Sequence, residues 1–400
     1  MKVLVLCERV DAEGGTETYL RALLPVLAAR GHDVRVVARS VARAGAYGVP
    51  AQAVKWSDEH DPPSAAASEA VATIARDFAP DVAAVHNVLD AGVLDATLLH
   101  APRVVYHLHD HRPFCPNGDR LYPQGGGICG IAMGSFACGW HALANGCAYG
   151  PRPRTFALIR NRAAVARAVG AADATIALSR YVANLAERNG IAPERTHVVS
   201  PPLADEAFAV SPAPRPAADA VLFAGRVVPS KGARSLVRAL AGISPSERPL
   251  LRIAGEGPDL AAALKEARTR GVRIQALGRL DSAAMLRAYD DAALVAVPSL
   301  WGEPFGLVGI EAFARGRPVA AYDAGAISEW IGGGGRLVPR GDEGALGAAI
   351  GALLARDAWQ AAAARAFTQA QEYRLDAHAD RIEALYAGAG GDSQRSRASE

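Results

Sequence analysis

Four hundred residues exceed what one ordinary hydrophobic core absorbs, so two domains are expected. Half the residues are apolar and 21% are charged, which excludes a disordered or fibrous chain. A net charge of +2 carries no nucleic-acid-like bias, and no apolar run approaches the ~20 residues of a membrane helix.

The first apolar run, Val3 to Leu6, reads as a buried parallel strand. With Lys2 it is too short for a signal-peptide core, so a cytoplasmic protein is expected, touching a membrane at most peripherally. Gly14-Gly15 follows, with Thr16 placed to cap a helix running to about Arg30. Leu20, Leu23, Leu24 and Leu27 give that helix its apolar face, Gly31 ends it, and Asp33 to Ala38 is the next strand. This is a β-α-β unit without G-x-G-x-x-G, so a dinucleotide is poorly supported. Its glycine loop is either a tight turn or, at a strand's carboxyl end, part of a ligand site.

Ala42 to Pro63 reads as irregular. A helix is expected over Ala65 to Phe78. A strand over Asp81 to Val85 runs into His86-Asn87, and another over Arg103 to Leu108 runs into His109-Asp110. Polar groups at two strand ends of one sheet face one crevice. His107, two residues before His109, shares its face.

Pro113 to Pro153 is glycine-rich and non-periodic, which predicts a loop or insertion. It holds Cys115, Cys129, Cys138 and Cys147, whereas Cys7 reads as a small buried apolar residue. Four cysteines in one polar segment suggest zinc or an iron–sulfur cluster, with free thiols or disulfides as alternatives. The spacings are wide and no C-x-x-C is present. Arg152, Arg154, Arg160, Arg162 and Arg167 accompany a helix expected over Thr155 to Val169. With Arg21 and Arg30 they form either a basic face for anionic lipid or a solvated surface. Ala174 to Leu178 is a strand, and Ser179 begins another helix.

Pro201 to Pro216, rich in proline and alanine, marks a linker. The strand Ala220 to Ala224 then runs into Gly225-Arg226-Val227-Val228-Pro229-Ser230-Lys231-Gly232. A planar fork of donors at Arg226 and a point charge at Lys231, beside a helix start, suit a diphosphate. Strands Leu251 to Ala254 and Arg273 to Leu277 lead into loops at Gly255 and at Gly278 to Leu280. The apolar run Ala292 to Val297 leads into Trp301-Gly302-Glu303-Pro304-Phe305-Gly306-Leu307, where a helix begins. Its free backbone N–H groups bind anions, and Gly306 admits a phosphate to the backbone. Glu303 and Glu311 flank that pocket, about two helical turns apart. Pro318 to Tyr322 reads as the last clear strand, with a turn at Gly332 to Gly335. Helices follow over Glu343 to Leu354 and Ala358 to Ala387, then a polar tail.

The G-R-x4-K-G stretch and the E-x7-E pair Glu303/Glu311, in this order, resemble the retaining GT-B glycosyltransferases, in particular glycosyltransferase family 4. The resemblance spans roughly residues 1 to 387. It implies an α/β GT-B fold, two Rossmann-like domains facing across a cleft, with the last helix crossing back to the first domain. The domains would run 1–200 (with the cysteine insertion at 113–153), a 201–218 linker, 219–372 for the nucleotide-sugar, 373–387 for the returning helix, and 388–400 as a disordered tail.

It also implies transfer of a sugar from a nucleotide-diphosphate sugar to a glycan, lipid-linked or small-molecule acceptor, with retained configuration and no cofactor. Arg226 and Lys231 would hold the diphosphate, and Glu311 the ribose. Glu303 would hold a sugar hydroxyl, with Gly225, Gly255, Gly278, Leu280, Phe305, Gly306 and Leu307 around the donor. His109 aligns with the family's reaction-centre histidine, with His107 as competitor; Gly14, Gly15, His86 and Asn87 would line the acceptor side. Some relatives carry a cysteine-bearing insertion starting, as here, with Cys115-Pro116. No D-x-D-like metal site stands on a strand-end loop, so the two cations are expected to replace a divalent ion. Rival readings are an epimerase or hydrolase on the same plan, or an inactive sugar-nucleotide-binding component of a polysaccharide-assembly complex.

Overall fold

Strands made almost wholly of Val, Leu, Ile and Ala must be covered on both faces, which is the condition of a parallel sheet between helices. The computed structural model describes residues 1–10, 14–41, 47–57, 62–122, 127–147 and 152–389, without the side chains of 152–154. It divides into two units, Met1–Pro202 with Leu375–Glu400, and Leu203–Arg374. Asp11 to Glu13, part of the irregular Ala42 to Pro63 stretch, the side chains of Arg152 and Arg154, and nearly all of the 388–400 tail lie outside what is described.

The strands of the first unit are β1 (Lys2–Arg9), β2 (Asp33–Ser40), β3 (Ala51–Ala53), β4 (Val82–His86), β5 (Val104–Leu108), β6 (Ala174–Ala177) and β7 (Thr196–Val198). Its helices are α1 (Gly15–Ala29), α2 (Ala65–Phe78), α3 (Ala91–His100), α4 (Phe136–Ala144), α5 (Arg152–Ala171) and α6 (Arg180–Arg188). The order is β3-β2-β1-β4-β5-β6-β7, parallel throughout. Alternation along β1 sends Leu4 and Leu6 into a core with α2, α3, α5 and α6, and Val3, Val5 and Cys7 into one with α1. The helix expected to be capped by Thr16 has its cap two residues earlier, at extended Gly14, with no side-chain hydrogen bond.

The second unit has β8 (Ala220–Ala224), β9 (Leu250–Ala254), β10 (Ile274–Gly278), β11 (Leu294–Val297), β12 (Val319–Tyr322) and β13 (Gly335–Val338). Between and after them run α7 (Ala233–Ala241), α8 (Leu260–Arg270), α9 (Ser282–Asp290), α10 (Leu307–Ala314), α11 (Ile327–Trp330), α12 (Glu343–Leu354) and α13 (Arg356–Ala370). The order is β10-β9-β8-β11-β12-β13. Tyr322 is thus not the end of the sheet, because β13 pairs with β12. The helical stretch expected over Ala358 to Ala387 is interrupted after Ala370, just before the separate returning helix expected at 373–387. The carbonyl of Tyr373 accepts the Leu203 N–H at 2.8 Å and Arg374 bridges Leu203. Backbone engaged in that pairing turns extended, and the helix restarts as α14 (Leu375–Tyr386).

α14 belongs to the first unit, where Ala379, Ile382, Leu385 and Tyr386 enter the core shared with α1. The fold class inferred from the resemblance therefore holds, returning helix included. Two elements of the proposed basic face do not. Arg162 is 1% exposed, because it falls on the inward stripe of α5 with Leu158, Val165 and Val169. Arg30 is taken up by Asp380 (2.7 Å), Glu383 (2.9 Å) and Asp376 (3.4 Å) of α14. Within the segment read as loop, Phe136 to Ala144 is helical, with Ser135 accepting from the Cys138 N–H as its cap.

Candidate active site

Strand order reverses beside β1 and β4 in one sheet and beside β8 and β11 in the other. Loops diverge at such points, which leaves a crevice at the strands' carboxyl ends. Most residues singled out from the sequence fall at these two reversals; Gly255, Gly278 and Leu280 lie one and two strands further along the second sheet.

In the second unit Gly225, Gly255 and Gly278 stand at the ends of the neighbouring strands β8, β9 and β10. The Gly225 N–H donates to Ala254 (2.9 Å) and the Gly255 N–H to Gly278 (2.8 Å). A Cβ at Gly255 would lie 1.9 Å from the Gly225 carbonyl, so the loops approach too closely for any side chain. Leu280 follows, half-buried. One strand over, Lys231 Nζ lies 2.6 Å from Glu303 Oε1 and 4.7 Å from the centre of the Trp301 ring. Two close approaches build this pair. Gly232, at φ 76°, sits where a Cβ would strike the Pro298 carbonyl, and the Leu300 N–H donates to the Ser230 carbonyl at 2.8 Å. Gly325 likewise presses on the Glu303 backbone, whose carbonyl accepts the Ala326 N–H at 2.9 Å.

Glu303 is 5% exposed. Burial alone would push its carboxyl up, but Lys231, the Ser299 hydroxyl and the Trp301 indole hold it below the usual carboxylate range. It is therefore an ionised, preorganised acceptor. Glu311, on α10, is the opposite case: burial pushes it up, and its contact is the Tyr289 hydroxyl, donating at 2.5 Å. Arg226 is exposed and has no ion-pair partner among the described residues. Gly306 at φ 93° opens α10, and Trp330 packs against it. The Trp330 indole donates to the Phe305 carbonyl at 2.6 Å, which fixes the turn. Among the described residues the N–H groups of Phe305, Gly306 and Leu307 have no acceptor.

In the first unit Gly14 and Gly15 follow β1, and His86 ends β4. Register places His86 beside His107 on β5, and His109 falls two residues on, over the same face. The result is a buried histidine stack. His86 and His107 have ring centres 4.1 Å apart at 22°, and His86 Nδ1 lies 2.9 Å from His109 Nε2. His107 Nε2 lies 3.0 Å from the Tyr386 hydroxyl. His378 Nδ1 donates to the Ser200 carbonyl, so its Nε2 accepts from Tyr19 at 2.9 Å. Burial depresses all four imidazoles, His109 and His378 to about 4, and so keeps them neutral. Asn87, at φ 53°, accepts the His109 N–H and donates to Asp110, locking the two strand ends together.

His86, His107 and His109 have ligand atoms within 4.8 Å of one another, the one such group among the described residues. A metal needs in-plane lone pairs that converge. The face-to-face stack of His86 on His107 leaves theirs running side by side, so these rings do not fit one. Sequence reasoning missed Tyr19, His378, Tyr386, Ser299 and Tyr289. None lies in a motif, and only packing brings them in.

A model described as glycosyltransferase family 4 matches residues 13–206, and one described as glycosyl transferases group 1 matches residues 218–356. Among solved structures, Anabaena HepE in complex with UDP superposes with TM-score 0.71 at 21% identity, covering 97% of this chain and 100% of that one. WaaG, from lipopolysaccharide biosynthesis, gives 0.69 at 18% identity over 96% and 100%. These likenesses define the fold as GT-B. The chain belongs to glycosyltransferase family 4. A phosphatidyl-myo-inositol mannosyltransferase of Mycobacterium leprae is 38% identical over 141 residues, 34% of this chain and 37% of that protein. A D-inositol 3-phosphate glycosyltransferase of Jonesia denitrificans is 34% identical over 222 residues, 48% and 51%. The chain thus spans about half or less of the length of these curated relatives.

Proposed function

We propose that this chain transfers a hexose from a nucleotide-diphosphate sugar to a hydroxyl of a glycan, lipid-linked or small-molecule acceptor, with configuration retained. The observation that carries this is the Lys231–Glu303 pair, an ammonium and an ionised carboxylate 2.6 Å apart at a strand reversal. On donor binding, Lys231 and Arg226 turn to the pyrophosphate, and Glu303 takes a sugar hydroxyl in place of the ammonium. The free N–H groups of Phe305 to Leu307 add donors for the departing phosphate. Fixed positive charge aimed at a leaving group stabilises the transition state without a divalent ion. Glu311, with its Tyr289 contact, accepts from the ribose. His109 keeps the role the resemblance gives it, a contact near the reacting carbon, and being neutral it offers a donor and an acceptor.

HepE is described with UDP and with UDP-glucose, which makes uridine donors the first to try. The named relatives act on inositol lipids and inositol phosphate, which supports a phosphorylated or lipid-linked polyol among the acceptors. Thermal shift against UDP-, GDP- and ADP-sugars, followed by turnover with and without acceptor, tests the reading. No stabilisation by any nucleotide-sugar would overturn it.

A further inference from the structure

We infer that His86 is a positioning residue for His109: its Nδ1–H donates to His109 Nε2, so the group His109 presents to a ligand is its own Nδ1–H, a donor for an oxygen lone pair. What that oxygen belongs to rests on the transfer reading above; the direction of the hydrogen bond does not.

The strand register puts the two rings within reach. His86 closes β4 and pairs with His107 on β5, so His109, two residues on, stands over the same face. Asn87 anchors the His109 backbone, its side-chain oxygen accepting the N–H at 3.2 Å. His86 fixes the ring at a second point, with His86 Nδ1 and His109 Nε2 2.9 Å apart. His86 in turn lies flat on His107, ring centres 4.1 Å apart, and Tyr19 meets the His109 ring edge-on at 5.0 Å.

Both rings are neutral, because burial disfavours the imidazolium. A neutral imidazole carries one N–H and one lone pair, so one ring of the pair donates and the other accepts. The far nitrogens decide which. Among the described residues His86 Nε2 is buried without a partner, whereas the unpartnered His109 Nδ1 keeps contact with solvent. Were His109 the donor, His86 would bury an N–H with no acceptor, which folded proteins avoid more strictly than an under-used lone pair. With His86 as donor, the bare nitrogen in the interior is a lone pair, and the free N–H of His109 stands where water or a ligand reaches it. In the proposed reaction that ligand atom is an oxygen of the transferred sugar or of the phosphate it leaves.

Nitrogen NMR of the histidine rings in the full chain reads the tautomers, with signals assigned by His86→Phe and His109→Gln. Pyrrole-type shifts are expected at Nδ1 of both rings; an Nε2–H at His109, or a mixture of forms, would overturn the assignment. His86→Phe keeps an aromatic ring on His107 but removes the donor, whereas His86→Asn keeps an amide donor near the Nδ1 position and loses the stack. His109 should lose its Nδ1–H preference in the first and keep it in the second, and turnover should fall by about tenfold more in the first. The opposite order would make stacking the role of His86 and overturn the proposal. Should either variant fail to fold, the wild-type spectrum still decides the tautomer. Adding the nucleoside diphosphate and then the nucleotide-sugar locates the oxygen: a shift of His109 Nδ1 with the first marks a phosphate, with the second alone a sugar. An Nδ1–H that responds to neither ligand when bound would overturn the donor role. Correct tautomers in a chain that binds no nucleotide-sugar would sink the transfer reading and leave the tautomer assignment standing.

Discussion

The two strand reversals bury polar groups by opposite means. At the first, His86, His107, His109 and His378 are buried with histidine, tyrosine and a backbone carbonyl as their side-chain hydrogen-bond partners among the described residues, and burial keeps them neutral. At the second, Glu303 is buried as deeply but faces an ammonium, and it stays charged. A buried group keeps its charge only when the opposite charge is in contact. The first site therefore offers neutral donors and acceptors, while the second keeps a fixed pair of opposite charges, which is what the proposed pyrophosphate role calls for.

Acid should break this contrast with the largest effect. Unfolded histidines take up protons near pH 6.5, whereas in the fold burial holds His109 and His378 down to about 4 and His86 and His107 well below their usual value. The folded chain binds fewer protons in that window, so stability falls as pH drops through it. Every buried histidine adds to the loss in the same direction, so the effect accumulates as pH falls. Melting temperature followed from about pH 7.5 to 5 should drop steeply; a flat profile would show that the stack is solvated. The Glu303 contribution lies lower, lost as pH falls through its depressed value, and Glu311 opposes it because its raised value favours the protonated form.

Lys231→Ala should lower turnover by roughly 10²–10³-fold, about 3–4 kcal/mol of transition-state stabilisation. Near-wild-type rates with the fold intact by circular dichroism would remove Lys231 from the chemistry. Arg226→Ala should weaken nucleotide-diphosphate binding by about tenfold, some 1.4 kcal/mol, with no change in melting temperature. Calorimetry showing unchanged affinity would count against its role. The smallest effect is expected at Arg30→Ala. Its acidic partners are mostly exposed, so its loss should cost about 1 kcal/mol or less in chemical denaturation. A much larger loss would mean that surface charge, rather than the buried stack, holds α14 to the first unit.

Much of the second site was legible in local sequence. Gly225 to Gly232 and Trp301 to Gly306 each follow an apolar strand and precede a helix, so their residues must collect at one sheet edge. The strand Ala220 to Ala224 and the helices Ala65 to Phe78 and Glu343 to Leu354 fall where periodicity placed them. α3 and α9 were missed. In α3 the apolar residues are not confined to one stripe, and the short α9 buries only Ala288 and Tyr289. The first site was half legible. His86 and His109 read as strand-end residues, but nothing local announces that His107 stacks on His86 or that Tyr19 and α14 close over them.

The sequence alone determined the alternation of strand and helix and the identity of the cations and carboxylates, because those depend on neighbours within a turn or two. Tertiary structure decided which of them carry charge. Ionisation depends on what is packed against a group once water is gone: Glu303 meets Lys231 from 72 residues away, and His107 meets Tyr386 from 279 away. No pattern of local spacing encodes such a contact.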